Sequence, residues 1–437
     1  MAISENAPEL FQGFSKLSRK ERFHRLAEMG ALSEEDIAFL NDGGIHQMDL
    51  AEKWIENVIG YFQLPLGVAT NFRIDHKDYV IPMAVEETSI IAALSKSAKW
   101  IRQYGEITTE IVGNTVIGQL QIGEVQNWEY LDTALKSNEA ALIESANHDV
   151  AAGLVRRGGG IKKLTLRRVN RPDGKAMGII HLFVDCCDAM GANIINQILE
   201  YLKEPVEALT QEKITMCILS NLNDSKITRA KVQLKGIDDN LGKRIQEASL
   251  FAEQDPYRAA THNKGVLNGI DPLMIATGND WRAVEAGIHA YAARDGQYRA
   301  ITHWRYENTE LTGIFEAPLI VGIVGGVTQL HPTVQLCLKM MDIQNANQLS
   351  RIAAAVGLVQ NLGALRALTT VGIVQGHMRL HIDNLALSAG ASEEEIPWLK
   401  AKLEQWLNFH KRVSLSHAVE LLQELRHSRQ TQVSESS

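Results

Sequence analysis

The segment 257–280, YRAATHNKGVLNGIDPLMIATGND, sets a lysine, an arginine, a histidine and several asparagines among glycines. Such a mixture makes poor core and poor loop filler, so it reads as a binding surface. Lys264, in HNKG, has Arg258, Asn263 and Asn268 as polar neighbours. A lysine fixed in that company can polarise a carbonyl or hold a developing oxyanion, because a preorganised cation away from bulk water stabilises negative charge strongly. Asp280 closes the segment, either as a further charge in a site or only as the N-cap of the next helix. Glu86 and Glu87, in VEETS, offer carboxylates for proton transfer, or merely oppose a helix dipole.

Two more clusters carry chemistry. His377 and His381, in GHMRLH, share one helical face at i, i+4. No third ligand stands near them, so they predict separate histidine roles and no metal site. DCCDAMGAN, residues 185–193, falls where a strand meets a helix, and the free N–H groups of a helix start suit an anion such as a pyrophosphate, with Gly191 allowing close approach. Equally, Asp188 can cap its helix and Gly191 can pack on a strand. The glycine fingerprints GxGxxG and GxxxxGK[ST] are absent. The basic run Arg156, Arg157, Lys162, Lys163, Arg167, Arg168 and Arg171 reads as a solvated hairpin face more readily than as a phosphate guide.

The elements that must position these groups follow from hydrophobic period. The first hundred residues read as helices, with Ser33 as an N-cap, apolar helical spacing over 48–59, an extended stretch at Tyr79–Ala84, and a helix opening at Glu86 and stopping at Gly105. From about residue 112 the period changes. A strand (112–125), a long helix (127–155), a hairpin of strands 161–169 and 176–184 joined by NRPDGK, a helix from Asp188 to about Leu202 and a strand at 214–220 give β-α-β-β-α-β, the ferredoxin-like order. After residue 240 helices return, rich in Ala and Gly. Asp271-Pro272 reads as an N-cap and first helical position, Asn279-Asp280 opens another helix, and the tail after His427 is expected to be disordered. The predicted fold class is α+β. A large, mostly helical unit (1–110 and 218–373) is interrupted by a small unit (111–217), with a helical flap (374–428) and a tail (429–437) behind it.

Lys+Arg of 44 against Asp+Glu of 52 gives a net charge of −8, which argues against a nucleic-acid partner. No secretory signal opens the chain, and its longest apolar run, 317–327, is too short and too glycine-rich for a membrane helix. The four cysteines show no CxxC spacing, as expected of free thiols in a reducing cytoplasm.

Several strings, taken together, go further: ENVIGYFQLPLGVATNF (56–72), VIPMAVEETS (80–89), DAMGAN (188–193), DPYRAATHNKGVLNGIDPLMIATGNDWRAVEAG (255–287), VGLVQNLGALRAL (356–368) and GHMRLH. In this order they closely resemble the 3-hydroxy-3-methylglutaryl-CoA reductases, specifically the class II bacterial form. The resemblance implies reduction of a thioester to mevalonate with release of CoA, by two nicotinamide dinucleotides, through bound mevaldehyde. It implies Lys264 as the cation over the carbonyl oxygen, Glu87 as the proton donor, Asp280 as the residue coupling them and His377 as the acid for the CoA thiolate. Glu87 would need a pKa raised by burial.

Ser89, Arg258, Asn221, Asn268 and Gln360 match positions that hold the acyl part. Asp188, Ala189, Met190, Gly191, Ala192 and Asn193 match the dinucleotide turn. Asp149 should face the adenosine ribose, where a carboxylate favours NADH over NADPH. The resemblance also implies a homodimer with a shared site, Glu87 facing Lys264 of the other chain, dimers that can form hexamers, and a C-terminal flap that delivers His377. Thr88 departs from the family's usual proline, and Ser15 from its basic or aromatic residue near CoA. Two rival readings are a Schiff-base lyase built on Lys264 and a non-catalytic oligomeric relative.

Overall fold

A computed structural model describes residues 7–370, 372, 382, 384–410 and 412–435. In chain order its strands are β1 (Leu66–Ile74), β2 (Lys77–Ala84), β3 (Gly105–Val112), β4 (Val116–Ile122), β5 (Gly160–Asn170), β6 (Ala176–Asp185), β7 (Ile214–Leu219), β8 (Ile227–Leu234), β9 (Thr302–Glu307) and β10 (Glu310–Ala317). The helices that carry the site are α1 (Ile90–Tyr104), α2 (Trp128–Asp149), α3 (Ala192–Thr210), α4 (Pro256–Ala276), α5 (Trp281–Ala292) and α6 (Ala346–Thr369).

The smaller sheet has the order β5-β6-β4-β7, antiparallel throughout, with α2 and α3 as its crossovers. This is the ferredoxin-like arrangement expected from the sequence. The β5–β6 turn forms where NRPDGK placed it, with Gly174 at φ 83, a left-handed angle that costs glycine little. Gly118 on β4 lets α3 lie close, since a Cβ there would stand 2.7 Å from Ile195.

The larger unit carries the expected helices together with a sheet that the sequence reading did not foresee. It contains a six-stranded sheet of order β2-β1-β3-β8-β10-β9, and the extended stretch foreseen at 79–84 is one strand of a hairpin with β1. The long strand foreseen over 112–125 is divided at Gly113 between the two sheets, β3 going to one and β4 to the other. Residues 113–115 and 223–226 are the two connections between the units, laced together by Ser225, whose hydroxyl donates to Thr115 O at 2.7 Å.

Helix α6 runs through the main core and is buried along nearly its whole length. It is apolar and long enough to cross a membrane, but it is mostly buried inside the molecule. It meets α4 at two glycines: a Cβ on Gly269 would come within 2.9 Å of Gln360 Cβ, and one on Gly357 within 2.9 Å of Ile270 and Val266. Close approach of these two helices fixes Gln360 beside the segment that holds Lys264.

Three sequence expectations need correction. Helix α4 runs unbroken from Pro256, so Asp271-Pro272 is not a helix start but lies inside it. The true N-cap is Asp255, which accepts from Arg258 N at 2.8 Å. The span 48–59 keeps only one helical turn, Met48–Ala51. The C-terminal helix Leu415–Glu435 continues through the polar tail, because once its Leu422 and Leu425 are packed, each added residue gains a hydrogen bond without a new nucleus.

Candidate active site

Lys264, Asn268 and Asp271 stand on α4 at spacings of four and three, so they share one face of the helix. Pro272 lacks the N–H that would bond Asn268 O, which frees that carbonyl beside the same face. Across from it, Glu87 lies in the turn between β2 and α1, ahead of the helix rather than in it. That turn ends at Ser89, held at φ 79, a conformation that costs a non-glycine residue energy and recurs at functional sites.

Lys264 Nζ and Glu87 Oε2 are 3.5 Å apart in one chain. The pairing expected across a dimer therefore forms within a single chain. The burial expected of Glu87 is also missing there, since its side chain is 39% exposed and that of Lys264 63%. Thr88, the departure from proline, has its hydroxyl oxygen buried without a hydrogen-bond partner, next to Glu87.

Arg258 is half-buried, and no carboxylate pairs with its guanidinium among the described residues. Burial alone lowers its pKa. Gln360 is buried with its Oε1 unpartnered. A buried polar atom without a partner is expensive, so it marks a place where a ligand donor fits. Behind this wall His262, Thr302, Asn361 and Trp304 form a buried network in which Asn361 Oδ1 accepts from Thr302 at 3.0 Å and from Trp304 Nε1 at 2.8 Å.

Asp280 caps α5, accepting from Ala283 N at 3.2 Å and from Arg282 Nε at 3.3 Å. No direct contact with Lys264 or Glu87 is formed among the described residues. Its neighbour Asn279 reaches the other way and accepts from Gly322 N at 2.8 Å. His377 and His381 lie outside the described residues.

The turn at 188–193, expected from the sequence to receive a dinucleotide, packs against this corner. Asp188 does not cap its own helix: its Oδ1 accepts from Ala346 N, the first residue of α6 after the N-cap Asn345, at 2.9 Å, while its carbonyl accepts from Ile323 N at 2.9 Å. Gly322 permits the approach, for a Cβ there would stand 2.6 Å from Met190 N. Helix α3 starts at Gly191 (φ 99) with no side-chain cap, so its first N–H groups are open to an anion. Met190 and Ala192 line a cleft with Asn221, Val284 and Gly287, which joins the turn to the helix that Asp280 caps. Asn193 is exposed at the start of α3, and Ala189 N closes a turn onto Cys186 O at 3.1 Å.

Asp149 ends α2 and accepts from Tyr201 at 2.5 Å and His148 at 2.7 Å, which hold its carboxyl below the usual range. In the basic run, Lys162 bonds Gly159 O, Arg168 lies over Trp128 and Arg171 pairs with Asp173, so these three serve the hairpin. Sequence reasoning missed Lys226, a buried lysine in the connection between the units whose charge faces Asp185 and Asp188. Nothing local marks it, because its surroundings are assembled from distant segments. Among the described residues no cluster of side chains could hold a metal ion.

The family model for Hydroxymethylglutaryl-coenzyme A reductase matches residues 18–382. The chain is 42% identical over 429 residues to the 3-hydroxy-3-methylglutaryl-coenzyme A reductase of Archaeoglobus fulgidus, covering 97% of this chain and 96% of that one. It is 33% identical to a probable reductase of the same name from Borreliella burgdorferi, covering 86% of each. Among solved structures, 3-hydroxy-3-methylglutaryl-coenzyme A reductase from Streptococcus pneumoniae superposes with a TM-score of 0.80 at 37% identity, covering 95% of this chain and 99% of that one. A class II enzyme from the same organism, bound to NADPH in open conformations, gives 0.80 at 36% identity, covering 82% of this chain and all of that one. With this agreement in sequence and in fold, the chain belongs to the hydroxymethylglutaryl-coenzyme A reductase family.

Proposed function

We propose that the chain interconverts 3-hydroxy-3-methylglutaryl-CoA and mevalonate, with Lys264, Glu87, Asp280 and His377 as its acid–base machinery. The observations that carry this reading are the Lys264–Glu87 pair, an Arg258 without a carboxylate partner among the described residues, and the orphaned Gln360 oxygen. In the first step a hydride from the nicotinamide dinucleotide adds to the thioester carbonyl. The carbon then carries an oxyanion, which the Lys264 ammonium offsets. Collapse of that adduct expels CoA as a thiolate, which His377 protonates, and leaves mevaldehyde. A second hydride and a proton from Glu87 then give the alcohol. Two hydrides and two protons enter in all, and mevalonate and CoA leave.

Arg258 suits the free carboxylate of the glutaryl part. Ser89, Asn221, Asn268 and Gln360 suit its hydroxyl and carbonyl groups. Residues 188–193 receive the dinucleotide. NADH is the preferred reductant on this reading, because the ionised Asp149 opposes a 2′-phosphate. The active species is a homodimer. Tyr257, 87% exposed on the face of α4 that bears Lys264, and Ile59 and Phe62 in the loop before β1 leave apolar surface for a second copy.

The test separates the two acids. His377→Gln should slow reduction of the thioester yet spare reduction of added mevaldehyde, whereas Glu87→Gln should slow both. Equal loss on both substrates from His377→Gln would overturn its assignment to the thiolate.

A further inference from the structure

One residue of the small unit meets two elements of the large unit that carry site residues. Asp188, at the head of the 188–193 turn, accepts on Oδ1 from Ala346 N at 2.9 Å and on its carbonyl from Ile323 N at 2.9 Å. Ala346 is the first residue of α6, the helix that holds Gln360. Ile323 follows Gly322, whose N–H donates to Asn279 Oδ1 at 2.8 Å, next to Asp280. A Cβ on Gly322 would stand 2.6 Å from Met190 N, so the two backbones touch there with no side chain between them. The shape of the turn is fixed separately, from the small unit and its connection. Cys187 N donates to Asp185 Oδ1 at 2.9 Å, Asn114 Nδ2 to Asp185 Oδ2 at 2.8 Å, and Ala189 N to Cys186 O at 3.1 Å.

On the proposed assignment of residues 188–193 to the dinucleotide, we propose that Asp188 is not a cofactor ligand but a positioning residue, which keys the turn onto α6 and the 322–323 backbone so that hydride donor and acyl group keep a fixed spacing. Its Oδ1 is committed to Ala346 N and its carbonyl to Ile323 N. The contact falls at the N-terminus of α6, where a carboxylate also meets the positive end of the helix dipole. From Ala346 to Gln360 the helix is unbroken and rises about 21 Å, so a shift of the turn against α6 is a shift against the acyl side of the site. Hydride transfer is sensitive to such a shift, since a misplacement of about 1 Å can cost ~100-fold in rate. The open N–H groups at the start of α3 do not depend on this seat, because the bonds that shape the turn lie elsewhere.

The test separates binding from chemistry. In Asp188→Ala the rate of hydride transfer in a single turnover with 3-hydroxy-3-methylglutaryl-CoA should fall by about 10- to 100-fold. The Kd for NADH and for NADPH, read by quenching of protein fluorescence, should stay at the parent value. Asp188→Asn keeps an oxygen acceptor for Ala346 N and should lose less. Ala346→Pro removes the donor and leaves Asp188 intact. Proline is accepted at the first position of a helix, and Asn345, at φ −155 and ψ 162, already has the extended backbone that proline needs before it. This variant should reproduce Asp188→Ala. The two break one bond from opposite sides, so either one that a melting curve shows to be folded carries the test. A raised dinucleotide Kd in Asp188→Ala, with hydride transfer at saturation unchanged, would make Asp188 a direct ligand and overturn the proposal. Unaltered hydride transfer in both variants would overturn it too. Gly191→Val places a Cβ 2.4 Å from Cys186 Sγ, and dinucleotide binding that survives it in folded protein would instead refute the assignment of the turn on which the proposal rests.

Discussion

Arg258 gives the sharpest quantitative expectation. It is a half-buried guanidinium with no carboxylate partner among the described residues, and burial alone displaces its pKa. If the carboxylate of the glutaryl group docks about 4 Å from it at an effective dielectric near 20, the attraction is ~4 kcal/mol. The half-open site admits solvent, which halves this to about 2 kcal/mol, or roughly 30-fold in affinity. Arg258→Ala should therefore raise KM for 3-hydroxy-3-methylglutaryl-CoA about 30-fold and leave KM for the dinucleotide unchanged. Arg258→Lys, which keeps the charge but loses the planar fork, should fall between. Steady-state kinetics with each substrate varied in turn, alongside a melting curve, measures this directly. An unchanged KM for the acyl-CoA, or an equal rise for the dinucleotide, would refute the assignment.

Other expectations follow from the same packing. Gly357→Ala places a methyl 2.9 Å from Ile270 and Val266 and should destabilise the fold by about 1–3 kcal/mol, read as a lower denaturation midpoint. Burial pushes the His262 imidazole down to about 3, against an ordinary value of 6.5, so between these values the unfolded chain binds the extra proton. Stability should be complete above pH 6.5 and fall by about 1.4 kcal/mol per unit toward pH 3, a slope that His262→Gln should flatten in urea titrations at several pH values. Because Glu87 meets Lys264 within one chain, heterodimers of Glu87→Gln with Lys264→Ala should recover no activity. Recovery on mixing would mean that the functional pair spans two chains.

The small unit was legible because each of its signals is local: alternating strands, a Pro-Asp-Gly turn and an amphipathic α3. The large sheet was not. Its β9–β10 hairpin turns on Asn308 and Thr309, both left-handed, and a β-branched residue stands where glycine would have announced the turn. Asp-Pro occurs at 255 and again at 271, and only the first starts a helix, since tertiary packing of α4 on α6 overrides the second.

Of the site, Lys264 and Arg258 stand out by their polar, glycine-rich company. Glu87 could not be placed from its own surroundings, because its partner lies 177 positions away.

The most direct test follows absorbance at the reduced-nicotinamide band with 3-hydroxy-3-methylglutaryl-CoA as substrate, NADH and NADPH in parallel, for the parent and Lys264→Ala. Substrate-dependent oxidation by the parent, reduced about 100-fold or more in Lys264→Ala, is the predicted result. Oxidation that persists undiminished in Lys264→Ala, or its absence from folded parent protein with both cofactors, would contradict the central claim.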